Sequence, residues 1–248
     1  MSIVFITGTG TDIGKTIATA AVAATLAAQG RRVVVVKPVQ TGFPGTGGDL
    51  DDVARLTGVT DLHGFVRYPE PMAPLAAARR AGLPRLGLGE AAARIRELDG
   101  PDRTVLVEGA GGLLVRLGSG AGDDGGAGGA GGAGEWGLPD LAARLPGAKT
   151  VVVTSLGLGS LNTAELTVEV AEGRGMDVIG LIGGSLPARH AAGEIDPIVA
   201  TNLEDLPHLT GVDVLGAVPE GAGAMERERF VAAAPGWFSE SGIRAFVG

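Results

Sequence analysis

Ser2-Ile3-Val4-Phe5-Ile6-Thr7 runs straight into Gly8-Thr9-Gly10-Thr11-Asp12-Ile13-Gly14-Lys15-Thr16, and an Ala-rich stretch, Ile17 to Ala28, follows. An apolar strand, a glycine-rich turn ending in Gly-Lys-Thr, and a helix, in that order, make a phosphate cradle. The turn's N–H groups and the positive end of the helix face a polyphosphate. Lys15 reaches its β- and γ-phosphates, and the Thr16 hydroxyl holds Mg²⁺. The spacing departs from the usual pattern at one place: glycine is expected at position 9, where Thr9 stands between Gly8 and Gly10. An ordinary βα turn with a capped helix accounts for the glycines, but not for the lysine set among them.

Outward from this turn, runs rich in Val, Ile and Leu recur at 2–7, 33–37, 103–108, 149–154, 177–182 and 213–218. Stretches with helical spacing lie at 15–29, 49–57, 87–98, 160–173 and 194–203. Near-continuous apolar strands alternating with helices predict a P-loop NTPase-like α/β fold, a mostly parallel central sheet with helices on both faces. Right-handed crossovers collect the loops that follow the strands along one edge, where ligands bind in such sheets. The 248 residues are read as one domain. Residues 118–134, almost entirely Gly and Ala, are expected to form a flexible loop inside it. The tail from Pro235 carries Trp237, Phe238 and Phe246, enough apolar surface to dock.

Composition narrows the function. A formal charge of −8 and no long basic stripe argue against a nucleic-acid partner. Cysteine is absent, which excludes disulfides, thiolate catalysis and thiolate-bound metal. The three histidines, His63, His190 and His208, show no ligand spacing. No targeting segment precedes the first strand, and 17–28 is too short to span a bilayer, so a soluble cytoplasmic protein is expected.

Lysine occurs only at positions 15, 37 and 149, against a background of arginine. Lys37 ends the second apolar run and opens Lys37-Pro38-Val39-Gln40-Thr41-Gly42. The proline fixes an extended approach, which suits an ammonium aimed at developing negative charge, although a solubilising surface lysine is the plain alternative. The run at 103–108 ends in Glu108-Gly109-Ala110-Gly111-Gly112. A carboxylate there is placed as a second metal contact, and the glycines admit a phosphate; a strand-terminal surface residue is the alternative. Asp49 follows Gly45-Thr46-Gly47-Gly48 and serves equally well as a helix N-cap or as a Mg²⁺ ligand beside Thr16 and Glu108.

With these pieces placed, the chain resembles the dethiobiotin synthetases. The likeness rests on 7–16, on Lys37 to Gly42, on Pro71-Met72-Ala73-Pro74 and on Val107 to Gly112, with weaker support from Leu158-Gly159-Ser160-Leu161-Asn162 and Val218-Pro219-Glu220. It implies a homodimer that joins 7,8-diaminononanoate and CO₂ (or bicarbonate as its source), using ATP or another nucleoside triphosphate and Mg²⁺. It implies Lys15 and Lys37 as catalytic groups, with Thr16, Asp49 and Glu108 on the metal. The nucleotide would meet Asp12, Ile13, Gly14, Lys15, Thr16, Ile17, Asp49, Glu108, Gly109, Ala110, Gly111, Pro219, Glu220 and Gly221. The diamine would meet Thr41, with Gly159, Ser160 and Asn162 taking its carboxylate across the dimer. Many members carry an adenine-reading Asn after the strand at 177–182; here Gly183-Gly184-Ser185 stands instead, which implies broader nucleotide use. The rival reading is a nucleotide switch of the partition-ATPase kind. Such proteins carry an extra lysine early in the phosphate loop, where this chain has Gly10.

Overall fold

Strand β1 (Ile3–Gly8) is buried along its whole length and pairs in parallel with a strand on each side. Alternate side chains point to opposite faces, so Ile3 and Phe5 enter one apolar cluster while Val4 and Ile6 enter another. This computed structural model of the protein describes residues 2–42, 47–120, 134–191, 193–194 and 196–247.

From β1 the chain passes through α1 (Lys15–Ala28), β2 (Arg32–Thr41), α2 (Asp49–Thr57), β3 (Leu62–Tyr68), α3 (Pro74–Ala81) and α4 (Leu88–Leu98) to β4 (Arg103–Glu108). A short antiparallel ribbon, β5 (Gly118–Ser119) with β6 (Glu135–Trp136), precedes α5 (Leu138–Ala143). The second half is β7 (Lys149–Thr154), α6 (Ser160–Gly173), β8 (Asp177–Leu186), α7 (Ala188–Ala191), α8 (Pro197–Thr210), β9 (Val214–Pro219), α9 (Arg227–Ala233) and α10 (Glu240–Val247). The main sheet has seven strands in the order β3-β2-β4-β1-β7-β8-β9, and all of its strand pairs are parallel.

From β1 the chain runs outward through β2 and β3, returns to insert β4 between β2 and β1, and then runs outward on the other side through β7, β8 and β9, so the strand order reverses at β1. Ligands of open parallel sheets bind outside the carboxyl ends of the strands at that reversal. Because β2, β4 and β1 are neighbours, their C-terminal loops share one stretch of sheet edge. Helices α1, α2, α9 and α10 cover one face; α3, α4, α5, α6 and α8 cover the other. The small side chains of α1, with Ala18, Ala20, Ala21, Ala23 and Ala24 fully buried, let that helix lie close against the sheet and hold the turn before it.

The expected strands and helices form, with several differences. Strands β2 and β8 run past their expected ends at 37 and 182, to Thr41 and Leu186. Strand β3 was absent from the sequence reading. It is an edge strand whose residues are mostly half-exposed, so Leu62-His63-Gly64-Phe65-Val66-Arg67-Tyr68 never reads as a continuous apolar run. Helix α8 starts at Pro197, capped by the Asp196 carboxylate on the N–H groups of Ile198 and Val199, and runs through Pro207 to Thr210, not from 194 to 203. The short helices α3, α5, α9 and α10 were also unforeseen. Of the Gly/Ala segment 118–134, Gly118 and Ser119 pair with Trp136 and Glu135, and 121–133 lie outside the described residues. The tail docks. Phe238 and Phe246 are buried, with rings edge to face at 5.4 Å, and Phe238 bridges to Gly216 of β9. Among the described residues no helix is long and apolar enough to cross a membrane.

Candidate active site

The turn from β1 to α1 ends in Gly14, whose φ of 90° is left-handed and whose position at the head of α1 provides no side-chain cap. The helix therefore keeps its first N–H groups directed outward, and the capped-turn alternative does not hold. Thr9, the departure from the usual spacing, donates its N–H to the Val153 carbonyl at 3.0 Å and so extends the sheet. Lys15 folds back over the loop and donates to the Gly10 carbonyl at 2.6 Å. Burial, and after it the nearby Lys37 ammonium, pushes the Lys15 pKa below its ordinary value.

Lys37 stands midway along β2, which runs on to Thr41, and it is only 3% exposed, so it is not a solubilising surface residue. Its ammonium lies 2.5 Å from Asp49 Oδ2 and 2.8 Å from Glu108 Oε1, and it donates to the Gly109 carbonyl at 2.7 Å. Burial opposes its charge, but Glu108 and Asp49 outweigh that and raise the pKa. Glu108, 2% exposed, also accepts from the Thr16 hydroxyl at 2.9 Å, which rules out the surface-residue alternative for it as well. Asp49 is not the helix cap: Gly48 occupies that position, and the Asp49 carboxylate turns to Lys37. Burial works against its ionisation, yet Lys37, with further contributions from Glu108 and then Gln40, holds its pKa below the ordinary value.

These groups share one cleft of about 740 Å³. Thr11, Asp12, Gly14, Lys15, Thr16, Lys37, Thr41, Asp49, Glu108, Ala110 and Gly111 line it, which brings most of the sequence-predicted site together. Val39, Met72, Pro74 and Val115 add an apolar wall that the sequence reading did not assign as contacts, although Val39, Met72 and Pro74 lay within motifs of the resemblance. Gln40 was missed too, despite its place between Lys37 and Thr41.

Other expected residues stand outside the cleft. Ile13 and Ile17 flank it, with Ile13 against Gly184 and Ile17 against Gly223. Gly109 contributes its carbonyl to Lys37 and no lining. Pro219, Glu220 and Gly221 end β9 two strands from β7, where the Glu220 N–H donates to the Leu186 carbonyl at 2.7 Å. Gly159, Ser160 and Asn162 open α6, away from this chain's own cleft. Ser160 is buried, and its Oγ accepts from Asn202 Nδ2 at 3.1 Å, so its hydroxyl faces α8 and not the surface.

At the absent adenine-reading position the structure gives a steric reason. A Cβ on Gly184 would sit 1.7 Å from the Ile13 carbonyl oxygen, so β8 and the phosphate loop touch backbone to backbone there.

The oxygens of Thr16, Asp49 and Glu108 form a hard donor set of the kind Mg²⁺ accepts. Among the described residues no cluster of three or more His, Asp or Glu gathers that could hold a metal ion. Two carboxylates and a hydroxyl leave room for phosphate oxygens and water, which is how Mg²⁺ is usually bound.

The family described as an AAA domain matches residues 2–123 and 135–227. An ATP-dependent dethiobiotin synthetase, BioD, of Corynebacterium kroppenstedtii is 51% identical over 96% of this chain and 94% of its own length. The enzyme of the same name from Rhodococcus jostii is 46% identical over 99% of this chain and 98% of its own. The chain belongs to the dethiobiotin synthetase family. Its fold is also that of the cell-division protein MinD. The MinC:MinD complex of Aquifex aeolicus aligns with a TM-score of 0.53 at 14% identity, over 100% of this chain and 96% of that one. MinD of Pyrococcus furiosus aligns at 0.51 and 19%, with the same coverage. Sequence identity separates the two: dethiobiotin synthetases match at close to half of all positions, while the partition-type likeness is one of fold alone. In this dethiobiotin synthetase relative, the Lys37–Asp49–Glu108 cluster lies where β4 ends beside β1 and beside the middle of β2.

Proposed function

We propose that the protein closes the cyclic urea of dethiobiotin from 7,8-diaminononanoate, CO₂ and a nucleoside triphosphate. One amine of the diamine takes up CO₂ and loses a proton, giving a carbamate. A carbamate oxygen attacks the γ-phosphorus with loss of nucleoside diphosphate, forming a carbamic–phosphoric anhydride. The neighbouring amine attacks the carbamoyl carbon and displaces inorganic phosphate. Phosphoryl transfer of this kind asks mainly for positioning and for charge stabilisation.

The observation that carries the reading is the meeting of Lys15, Lys37, Thr16, Asp49 and Glu108 in one cleft. Lys15 stands by the phosphate loop to neutralise the β- and γ-phosphates. Lys37, held by its two carboxylates and the Gly109 carbonyl, presents the second ammonium to the carbamate and the transferring phosphoryl group. Thr16, Asp49 and Glu108 would hold Mg²⁺, which supplies charge neutralisation across the phosphates. Thr41 and the wall of Val39, Met72, Pro74 and Val115 suit the diamine and its aliphatic chain.

Among the described residues the cleft lining contains no cation besides Lys15 and Lys37, so the substrate carboxylate needs a partner beyond it. The start of α6 in a second copy, at Gly159 and Asn162, is our assignment, and with it a homodimer. The whole chain acts as one synthetase domain in the cytoplasm. The test is incubation with the diamine, labelled bicarbonate and nucleotide. Labelled cyclic urea detected by mass spectrometry is expected; nucleotide hydrolysis without labelled product would overturn the assignment.

A further inference from the structure

Helix α2 begins without a conventional cap. Its N-cap residue, Gly48, has no side chain, and the first N–H groups of a helix need partners. The Asp49 N–H finds one in Gln40, whose Oε1 accepts at 3.1 Å from nine residues upstream in β2. The other end of the same amide donates from Nε2 to the Thr41 carbonyl at 3.1 Å, so the group is fixed at both atoms. Gln40 is only 8% exposed, which makes a solvated alternative rotamer costly.

Gly48 and Gln40 fit one another. A Cβ on Gly48 would lie 3.1 Å from Gln40 Oε1 and 3.2 Å from its Cδ, and φ at that position is +136°. No Ser, Thr, Asp or Asn can therefore stand at the cap without displacing the amide. The consequence falls on Asp49. Aspartate is a favoured N-cap, but that position is taken by Gly48, and Asp49 is the first helical residue. Here the capping is done from β2, and the Asp49 carboxylate is left to lie 2.5 Å from the Lys37 ammonium.

We propose that Gln40 is a positioning residue for the reaction: it accepts the first N–H of α2 and thereby holds the Asp49 carboxylate on Lys37, where it would also be placed to meet a metal. The inference rests on the functional reading given above, in which Asp49 and Lys37 belong to the chemistry.

A double-mutant cycle tests it, with Gln40→Ala made in the wild type and in Asp49→Asn. In the wild type the substitution should lower kcat for cyclic-urea formation by between about tenfold and a hundredfold, with the diamine KM moved far less. In Asp49→Asn the same substitution should change kcat by less than about twofold, because the group it positions is already lost. Gly48→Ala, which pushes the amide aside, should reproduce the loss and fail to add to Gln40→Ala. Equal fold-losses in both backgrounds would overturn the proposal. So would an unchanged kcat accompanied only by a lower melting temperature, the mark of a purely structural cap. The cycle is read a second time on affinity for the Mg²⁺–nucleotide complex. If the wild type makes no cyclic urea, the functional reading falls, and coupling or additivity in that affinity alone decides the role of Gln40.

Discussion

Lys37 shows how much one side chain carries. Its ammonium is in contact with two carboxylates, one of them almost wholly buried. Removing one partner of a buried ion pair typically costs about 3–5 kcal/mol, because the remaining charge is left uncompensated. Lys37→Ala is therefore expected to lower the melting temperature as well as to remove turnover. Nucleotide affinity should stay within a few-fold of wild type, because Lys15 and the loop N–H groups are untouched. Isothermal titration with a non-hydrolysable nucleotide, beside single-turnover assays, checks this; near-normal turnover would defeat the mechanism. Gly184 carries a second prediction. With no side chain to read a base edge and the Ile13 carbonyl where a Cβ would go, ATP, CTP and GTP should support turnover at comparable rates. An exclusive preference for ATP at equal concentrations would refute it. Gly184→Ala should weaken binding of all three alike, since overpacking of about 1–3 kcal/mol would be relieved by moving the phosphate loop.

At the level of elements, the phosphate loop and its neighbours were legible because the apolar runs break at a polar residue or a glycine turn. Lys37, Glu108 and the Gly14-Lys15-Thr16 turn all follow such runs; β2 continues past Lys37 to Thr41, but the parallel register sets Val36 beside Val107 and so brings Lys37 level with Glu108 at the end of β4. That adjacency depends on strand order, which periodicity does not encode. Residues 62–68 gave no signal because an edge strand buries only part of its surface, and Gln40 gave none because its partner, the Asp49 N–H, exists only once α2 has formed. Asn202 is a further case. From the middle of α8 its Nδ2 reaches the Leu156 and Gly157 carbonyls, both at 2.9 Å, and Ser160 Oγ, which clamps the loop leading into α6. Nothing in the sequence of α8 points across to that loop. Asn202→Ala leaves buried acceptors unpartnered and should cost about 1–3 kcal/mol. Hydrogen exchange should then rise over 156–163 while the phosphate loop stays protected. Unchanged protection there would mean that the clamp has no hold on the loop.

For the whole molecule the active-site charges are also a stability device, and their signs set its pH dependence. Lys37 beside Asp49 outweighs the burial that opposes ionisation and keeps the Asp49 carboxyl below 3.8, so the folded state binds its proton less readily than the unfolded chain does. The stabilisation is fully present above 3.8 and is lost as pH falls through the depressed value. Lys37 mirrors this: its raised pKa gives a contribution present below 10.5 and lost as pH rises through the folded value. Lys15 runs the other way. Burial, then Lys37, lowers its pKa, so its charge is a cost to the ligand-free fold that disappears as pH rises toward 10.5. That cost marks a site built for a polyanion, whose arrival supplies the missing counter-charge. The Asp49 contribution can be isolated by comparing urea midpoints of the wild type and Asp49→Asn across the acid range. At neutral pH the variant should be the less stable. The gap should close as pH drops through the Asp49 transition, because the wild-type carboxyl then becomes neutral as well. A gap that stayed constant down to the point of acid unfolding would mean that Asp49 and Lys37 are not paired in solution, and the charge arrangement assigned to the cleft would fall with it.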